Sequence, residues 1–206
     1  MRRCLLAQGY YRVAGVDEAG RGCLAGPVVA AAVILPTGSV IDGIDDSKRL
    51  SAPRREQLDL AIRSEAVCIG LGVAQEETID AVNILQATLL AMRRAIGALD
   101  PPPDFVLIDG DRSPGCSIPH RAIPSGDHLC VSIAAASIVA KVARDRMMRA
   151  YHLAFPQYGF ARHKGYGTRD HLQALARFGA SPFHRKSFRG VRDQRQILPK
   201  LSLEID

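Results

Sequence analysis

At 206 residues, 47% of them hydrophobic and 23% charged, the chain can bury one sizeable core and has the composition of an ordinary globular domain. No apolar run reaches the roughly 18 residues that a membrane helix needs, and the apolar stretch within Met1–Gln8 is too short for a signal peptide, so a cytoplasmic protein without membrane association is expected. The net charge of +6 is unevenly divided: residues 141–206 hold 14 Lys or Arg against 5 Asp or Glu, while residues 1–140 hold 13 against 16. A basic C-terminal third beside an acidic remainder suits a polyanion held near a carboxylate-rich site, and a solvated basic face has the same composition.

Tyr11–Asp17 is a short apolar run that reads as a strand, followed by turn signals at Gly20, Gly22 and Gly26-Pro27. Val28–Leu35 is a second strand, close enough in sequence to pair antiparallel with the first. Asp45–Lys48 reads as a loop, and Ser51 is an N-cap for a helix through about Glu65 with Pro53 in its first turn. Val67–Ala74 is a third strand. Glu76–Leu99 reads as one long helix, with Ile79, Val82, Leu85, Leu89, Met92 and Ile96 on its apolar face and Pro101–Pro103 beyond its end.

Phe105–Asp109 follows a helical crossover and so reads as a central parallel strand, with His120–Pro124 as another. Asp127 is placed as the cap of a second long helix running to about Tyr151, whose section Val131–Ala143 is apolar on nearly every side and should be buried. Thr168–Phe178 is a shorter amphipathic helix, and periodicity is weak beyond Ser181. The pattern predicts an α/β fold: a mixed five-stranded sheet flanked by helices, in a body spanning 1–180 with a C-terminal helical appendage at 181–206. Five cysteines, an odd number with no pair at the Cys-x2-Cys spacing of a zinc or redox site, imply reduced thiols.

Three acids sit where a core-building sequence should avoid charge. Asp17 and Asp109 each end an apolar strand directly, and Asp127 lies between a strand and the buried helix. Taken singly, the first two read as strand-end residues and Asp127 as a helix cap. If the first and fourth strands are neighbours, however, Asp17 and Asp109 emerge side by side, and two buried like charges cost several kcal/mol unless a cation neutralises them. Oxygen ligands favour Mg²⁺ or Mn²⁺. Glu18 should face away from Asp17 unless the chain bends, which Gly20 and Gly22 would permit.

The ordered motifs Asp17-Glu18-Ala19-Gly20-Arg21-Gly22, Leu24–Ala32, Asp46-Ser47-Lys48, Asn83-Ile84-Leu85, Leu107-Ile108-Asp109-Gly110, Gly126-Asp127, Ala135–Asp145, Phe155–Phe160 and His163-Lys164-Gly165-Tyr166-Gly167-Thr168 closely resemble the signature of bacterial ribonuclease HII over roughly residues 10–190. The resemblance implies an RNase H-like fold. It implies a four-carboxylate site of Asp17, Glu18, Asp109 and Asp127, with Asp17, Glu18 and Asp109 as ligands of divalent metal, Mn²⁺ or Mg²⁺. It further implies a substrate of RNA/DNA hybrid or of duplex DNA with an embedded ribonucleotide. Gly20, Arg21 and Gly22 should approach the ribose, Tyr166 should pack on the next sugar, and Lys48 and Lys164 should contact the nucleic-acid backbone.

Four positions depart from the family pattern: Cys23 replaces Pro, Ser125 replaces Lys, His128 replaces a small polar residue or Lys, and Asp111 adds a negative charge. Lys141 could reach a phosphate or snorkel to the surface. Arg185, Lys186, Arg189, Arg192 and Arg195 read as a phosphate-tracking face. Two rival readings are another two-metal nuclease on the same fold and a non-catalytic nucleic-acid-binding module. A monomer is expected, and Gln196–Leu201 has no aromatic pair of the kind that sliding-clamp peptides use.

Overall fold

The computed structural model describes residues 2–44 and 50–192, so Lys48, Arg195 and the Gln196–Leu201 stretch lie outside the described residues. In chain order the elements are α1 (Arg2–Ala7), β1 (Val13–Ala19), β2 (Val28–Ile34), α2 (Ala52–Glu65), β3 (Cys68–Ala74), α3 (Glu76–Gly97), β4 (Phe105–Asp109), β5 (His120–Ile123), α4 (Val131–Ala154), α5 (Phe160–His163), α6 (Arg169–Phe178) and α7 (Arg189–Arg192). The strands form one sheet in the order β3-β2-β1-β4-β5. Pairing is antiparallel from β3 to β1 and parallel from β1 to β5, the mixed sheet that the sequence implies. No helix among the described residues is long and apolar enough to cross a membrane.

Alternation along the strands builds a core on each side of the sheet. Ala14, Val16, Ala30 and Ala32 pack on the Ala87, Ala91 and Ile96 side of α3. Ala31 and Val33 pack on the other side against Leu58 and Ile62 of α2 and Ala135 and Val139 of α4. Contact is closest at glycine. A Cβ on Gly15 would lie 2.1 Å from the Ser132 carbonyl carbon, so β1 rests directly on the start of α4. The small α1, which the sequence did not announce, adds Leu5 to a cluster with Val13, Phe105 and Ile133.

Two expectations need correction. The helix expected at Glu76–Leu99 is broken at Asn83, where φ is 69° and ψ is 166°. The Asn83 side chain then accepts from the N–H groups of Leu85 (3.0 Å) and Gln86 (3.1 Å), capping a restarted helix. The break turns the second half so that Ala87, Ala91 and Ala95 are buried, while Val82 of the expected stripe is left exposed. Asp127, in turn, is not the cap of α4. It lies in a 3-10 turn, Gly126–His128, and the helix starts only at Val131 with Cys130 before it and no side-chain cap. The N-cap expectation at Ser51 holds, with its side chain accepting the Arg54 N–H; the helix expected at 168–178 runs Arg169–Phe178, and Thr168 caps it by accepting the His171 N–H.

Gly15→Ala tests the closeness of β1 to α4. Overpacking against backbone cannot be relieved by a rotamer change, so a loss of about 3 kcal/mol is expected in urea unfolding. A loss within experimental error would mean that the two elements can separate at little cost.

Candidate active site

Val16 of β1 lies beside Ile108 of β4 in parallel register, so the next residues, Asp17 and Asp109, stand on neighbouring strands near their carboxyl ends. Asp17 is buried and hydrogen-bonded to Ser137 of α4. The strand does not bend after it: Asp17 sits opposite Ala31 and Glu18 opposite Ala30, in unbroken pairing. No kink at the glycines brings Glu18 to Asp17; the two are joined by the Glu18 N–H, which donates to the Asp17 carboxylate at 2.6 Å.

The charges are costly where they stand. Burial, then the Glu18 charge, with a further push from Asp109, holds the Asp17 carboxyl well above the usual carboxylate range. Burial raises Glu18 as well, against the opposing pull of Arg21, whose guanidinium is 3.2 Å from it. The Asp109 carboxylate accepts the Gly126 N–H at 2.7 Å, which brings Asp127 alongside. Asp127 is buried, accepts the His128 N–H at 3.1 Å, and has the His128 imidazole 3.9 Å away.

Among the described residues no three His, Cys, Asp or Glu side chains close into a ready-made metal cage. The donor set nonetheless suits a hard divalent cation. It offers oxygens only, and burial holds two of its carboxyls toward the protonated form. A cation would replace those protons.

Beside the acids, residues 20–27 cross the sheet end as irregular chain, and two buried arginines take up its carbonyls. Arg185 is fully buried and donates to the carbonyls of Gly20 (2.7 Å), Arg21 (2.8 Å) and Gly26 (2.9 Å). Arg144 of α4, equally buried, donates to Ala25 (3.0 Å), Pro27 (2.9 Å) and Lys164 (2.9 Å). Gly20 has φ +98°, and a Cβ there would be 2.0 Å from the Arg144 Nε, so glycine is required on both counts. Gly22 faces open space instead. Glu76 supplies buried negative charge near both arginines, and burial pushes its carboxyl up to about 7.

This loop walls a cavity of about 300 Å³ together with Glu18, Ser137, Lys141 and Tyr166. A groove of about 700 Å³, edged by Arg55, Arg149, Arg162 and Lys164, adjoins it and shares Lys141 and Tyr166 as its wall. Tyr166 is 43% exposed. Burial raises its hydroxyl above the usual tyrosine value, and the Lys141 ammonium stands 5.9 Å from its ring centre.

Of the residues singled out from sequence, Asp17, Glu18 and Asp109 lie toward the carboxyl ends of the interior strands β1 and β4, with Asp127 in the turn that bonds Asp109, and Gly20, Arg21, Gly22 and Tyr166 line the adjoining pocket. Lys164 edges the groove with its ammonium turned back to the Ala161 carbonyl. Lys141 does not snorkel. It is tied to Asp145 at 2.6 Å, inside the cleft. Asp111 is exposed and 3.6 Å from Arg112, and it lines one small cavity with Glu18 and Asp109.

Arg185 is the clear correction, for it holds backbone and does not face a phosphate. Ser137 and Arg144 were missed as well, although a charge repeated inside the apolar helix 131–154 was a visible signal. All five cysteines are free thiols, as expected.

A mixed sheet carrying paired carboxylates at adjacent strand ends, beside a cleft edged with cations, defines a hydrolase of nucleic acid. The chain belongs to the ribonuclease HII family, whose model matches residues 14–191. A ribonuclease HII from Geobacter metallireducens is 58% identical over 185 residues, covering 90% of this chain and 87% of that protein. Two crystal structures share the fold. The ribonuclease H2 from Pyrococcus horikoshii has a TM-score of 0.75 at 24% identity, covering 90% of this chain and 97% of that one. Bst-RNase HIII in complex with Mn²⁺ has a TM-score of 0.75 at 20% identity, covering 91% and 70%. The chain is accordingly a metal-dependent ribonuclease.

A carboxyl raised above its unfolded value costs the fold nothing while protonated, and the cost appears as pH rises through the folded value. Asp17→Asn is therefore expected to raise the melting temperature in chelator at pH 7, with the gain shrinking as pH is lowered toward about 4. A lower melting temperature at pH 7 would show that Asp17 is not repelled where it sits.

Proposed function

We propose that this protein is an endonuclease that cuts the RNA strand of RNA/DNA hybrids and cuts on the 5′ side of single ribonucleotides embedded in duplex DNA, leaving 3′-hydroxyl and 5′-phosphate ends. Asp17, Glu18 and Asp109 would hold divalent metal, Mn²⁺ or Mg²⁺, with Asp127 completing the acidic set. Bound metal supplies Lewis acidity to the scissile phosphate and lowers the pKa of a water nucleophile. The protein's own groups bind and orient. Gly20, Arg21 and Gly22 present bare backbone to the ribose, and Lys141 faces the phosphate chain. Lys164, with Arg55, Arg149 and Arg162 along the groove, offers the backbone a cationic path, and Lys48 belongs to the same reading. The protein would work as a monomer in the cytoplasm.

The observation that carries this reading is the position of Tyr166, the wall shared by the glycine-lined pocket and the basic groove. A ribose in the first and a deoxyribose entering the second would meet on the two sides of its ring. The strand-end acids supply the chemistry, and the tyrosine supplies the discrimination.

Packing of an aromatic ring against a nucleotide is worth about 1–3 kcal/mol, so Tyr166→Ala should lower kcat/KM on a single embedded ribonucleotide by about 5- to 150-fold. Tyr166→Phe, which keeps the ring face, should lose less, and both should lose less on an all-RNA strand paired with DNA. Equal losses on the two duplexes at one salt concentration would remove the junction-reading role. Asp109→Asn should abolish cleavage of both substrates while leaving the fold intact by circular dichroism, and retained cleavage with Mg²⁺ would take Asp109 out of the metal site.

A further inference from the structure

Three histidines lie buried behind the loop that carries Tyr166: His163 of α5, His171 of α6 and His184 beyond it. His163 and His171 stack, with ring centres 4.4 Å apart and 16° between planes. Each ring nitrogen has a partner that settles its tautomer. His171 Nδ1 is 2.9 Å from the Tyr166 carbonyl, so it carries the proton and donates. Its Nε2, 3.0 Å from His184 Nε2, must then accept. His184 is left with its proton on Nε2, and its Nδ1 accepts the Ser181 backbone N–H at 2.9 Å. Hydrogen bonding thus runs one way, from Ser181 through His184 and His171 to the Tyr166 carbonyl. His163 is satisfied separately, donating to the Tyr158 carbonyl at 2.6 Å and accepting the Gly165 N–H at 3.2 Å. Burial favours the neutral rings, moving His171 down to about 4 and His184 to about 3.

The same segments are joined a second time. Leu24 N–H donates to the Gly165 carbonyl at 2.8 Å, and Arg185 N–H donates to the Leu24 carbonyl at 2.9 Å. A Cβ on Gly165 would sit 2.3 Å from the Ala25 carbonyl oxygen, so the two loops are in backbone contact. Tyr166 is consequently tied on one side through Gly165 to Leu24. On the other it is tied through the two imidazoles to the residues just before Arg185, which grips the Gly20 and Arg21 carbonyls. Apolar side chains would fill this space without the desolvation cost of imidazole, but they could not take up the Tyr166 carbonyl.

We propose that His171 and His184 are positioning residues that set Tyr166 at a fixed distance from Gly20-Arg21-Gly22, so that recognition of the RNA-to-DNA step depends on a tether from the segment 181–185. The proposal rests on the junction-reading role of Tyr166 given above. Two variants separate the ends of the tether. In His171→Asn the side-chain amide N–H stands near the position of Nδ1–H and keeps the bond to Tyr166. In His171→Gln the amide oxygen stands near Nε2, keeping the bond from His184 and losing the one to Tyr166.

The experiment measures kcat/KM of the full chain on the embedded-ribonucleotide and all-RNA duplexes, together with amide hydrogen exchange at Tyr166 and Thr168. In His171→Gln the ratio of the two kcat/KM values should fall about 3- to 10-fold, the size of one hydrogen bond, and the two amides should exchange faster. His171→Asn should restore both toward wild type, which a merely space-filling role would not do. In a Tyr166→Ala background His171→Gln should leave the ratio unchanged. Equal falls in the two variants, a fall that persists without Tyr166, or unaltered amide exchange in His171→Gln would each overturn the proposal. Faster exchange in His171→Gln with a ratio that neither it nor Tyr166→Ala changes would uphold the tether and overturn the junction-reading role instead.

Discussion

Irregular chain in a buried place must find donors for its carbonyl oxygens, and the walls of this cleft exist because two arginines provide them. Residues 20–27 have neither helix nor ladder to satisfy them. Arg144 and Arg185 between them bond the carbonyls of Gly20, Arg21, Ala25, Gly26, Pro27 and Lys164. A guanidinium suits the task because its donors diverge in one plane and its charge persists when buried, as at Arg185, which burial lowers only to about 10. The arrangement leaves the outer side of the loop, at Gly22, free of side chain.

The acidic cluster presents the opposite economy. Where the arginines are satisfied within the protein, burial holds Asp17 and Glu18 above the usual carboxylate range, Glu18 in spite of the Arg21 guanidinium. The strand that carries them is packed tightly, with Gly15 directly against the backbone of Ser132.

Much of this was legible in the sequence because it followed from local pattern. Strand runs ending in Asp17 and Asp109 were plain, and the helical crossover between them made parallel neighbours a natural inference. The Asn83 break was not legible, since a three-and-four spacing of apolar residues persists across it and only a side-chain cap in three dimensions reveals the restart. Asp127 looked like a helix cap for the ordinary reason that Asp before an apolar run usually is one. The intervening turn depends on Ser125 at φ +55° and on the Gly126 N–H reaching Asp109, a contact 17 residues away. Arg185 was misread because charge composition records sign and number, not whether a cation faces water or a carbonyl. The one-way polarity of the histidine chain has no sequence signature, since His171 and His184 are thirteen residues apart and meet only through folding.

The placement of Arg185 also orders events during synthesis. All four acids have been translated by residue 127, and the helix carrying Arg144 follows soon after. The glycine loop, however, gains its second holder only when residue 185 has left the ribosome and folded back across Leu24–Gly26. A nascent chain can therefore carry all four acids while the glycine loop beside them is still unset. Completion of the cleft is a late event, timed by the position of one arginine in the message.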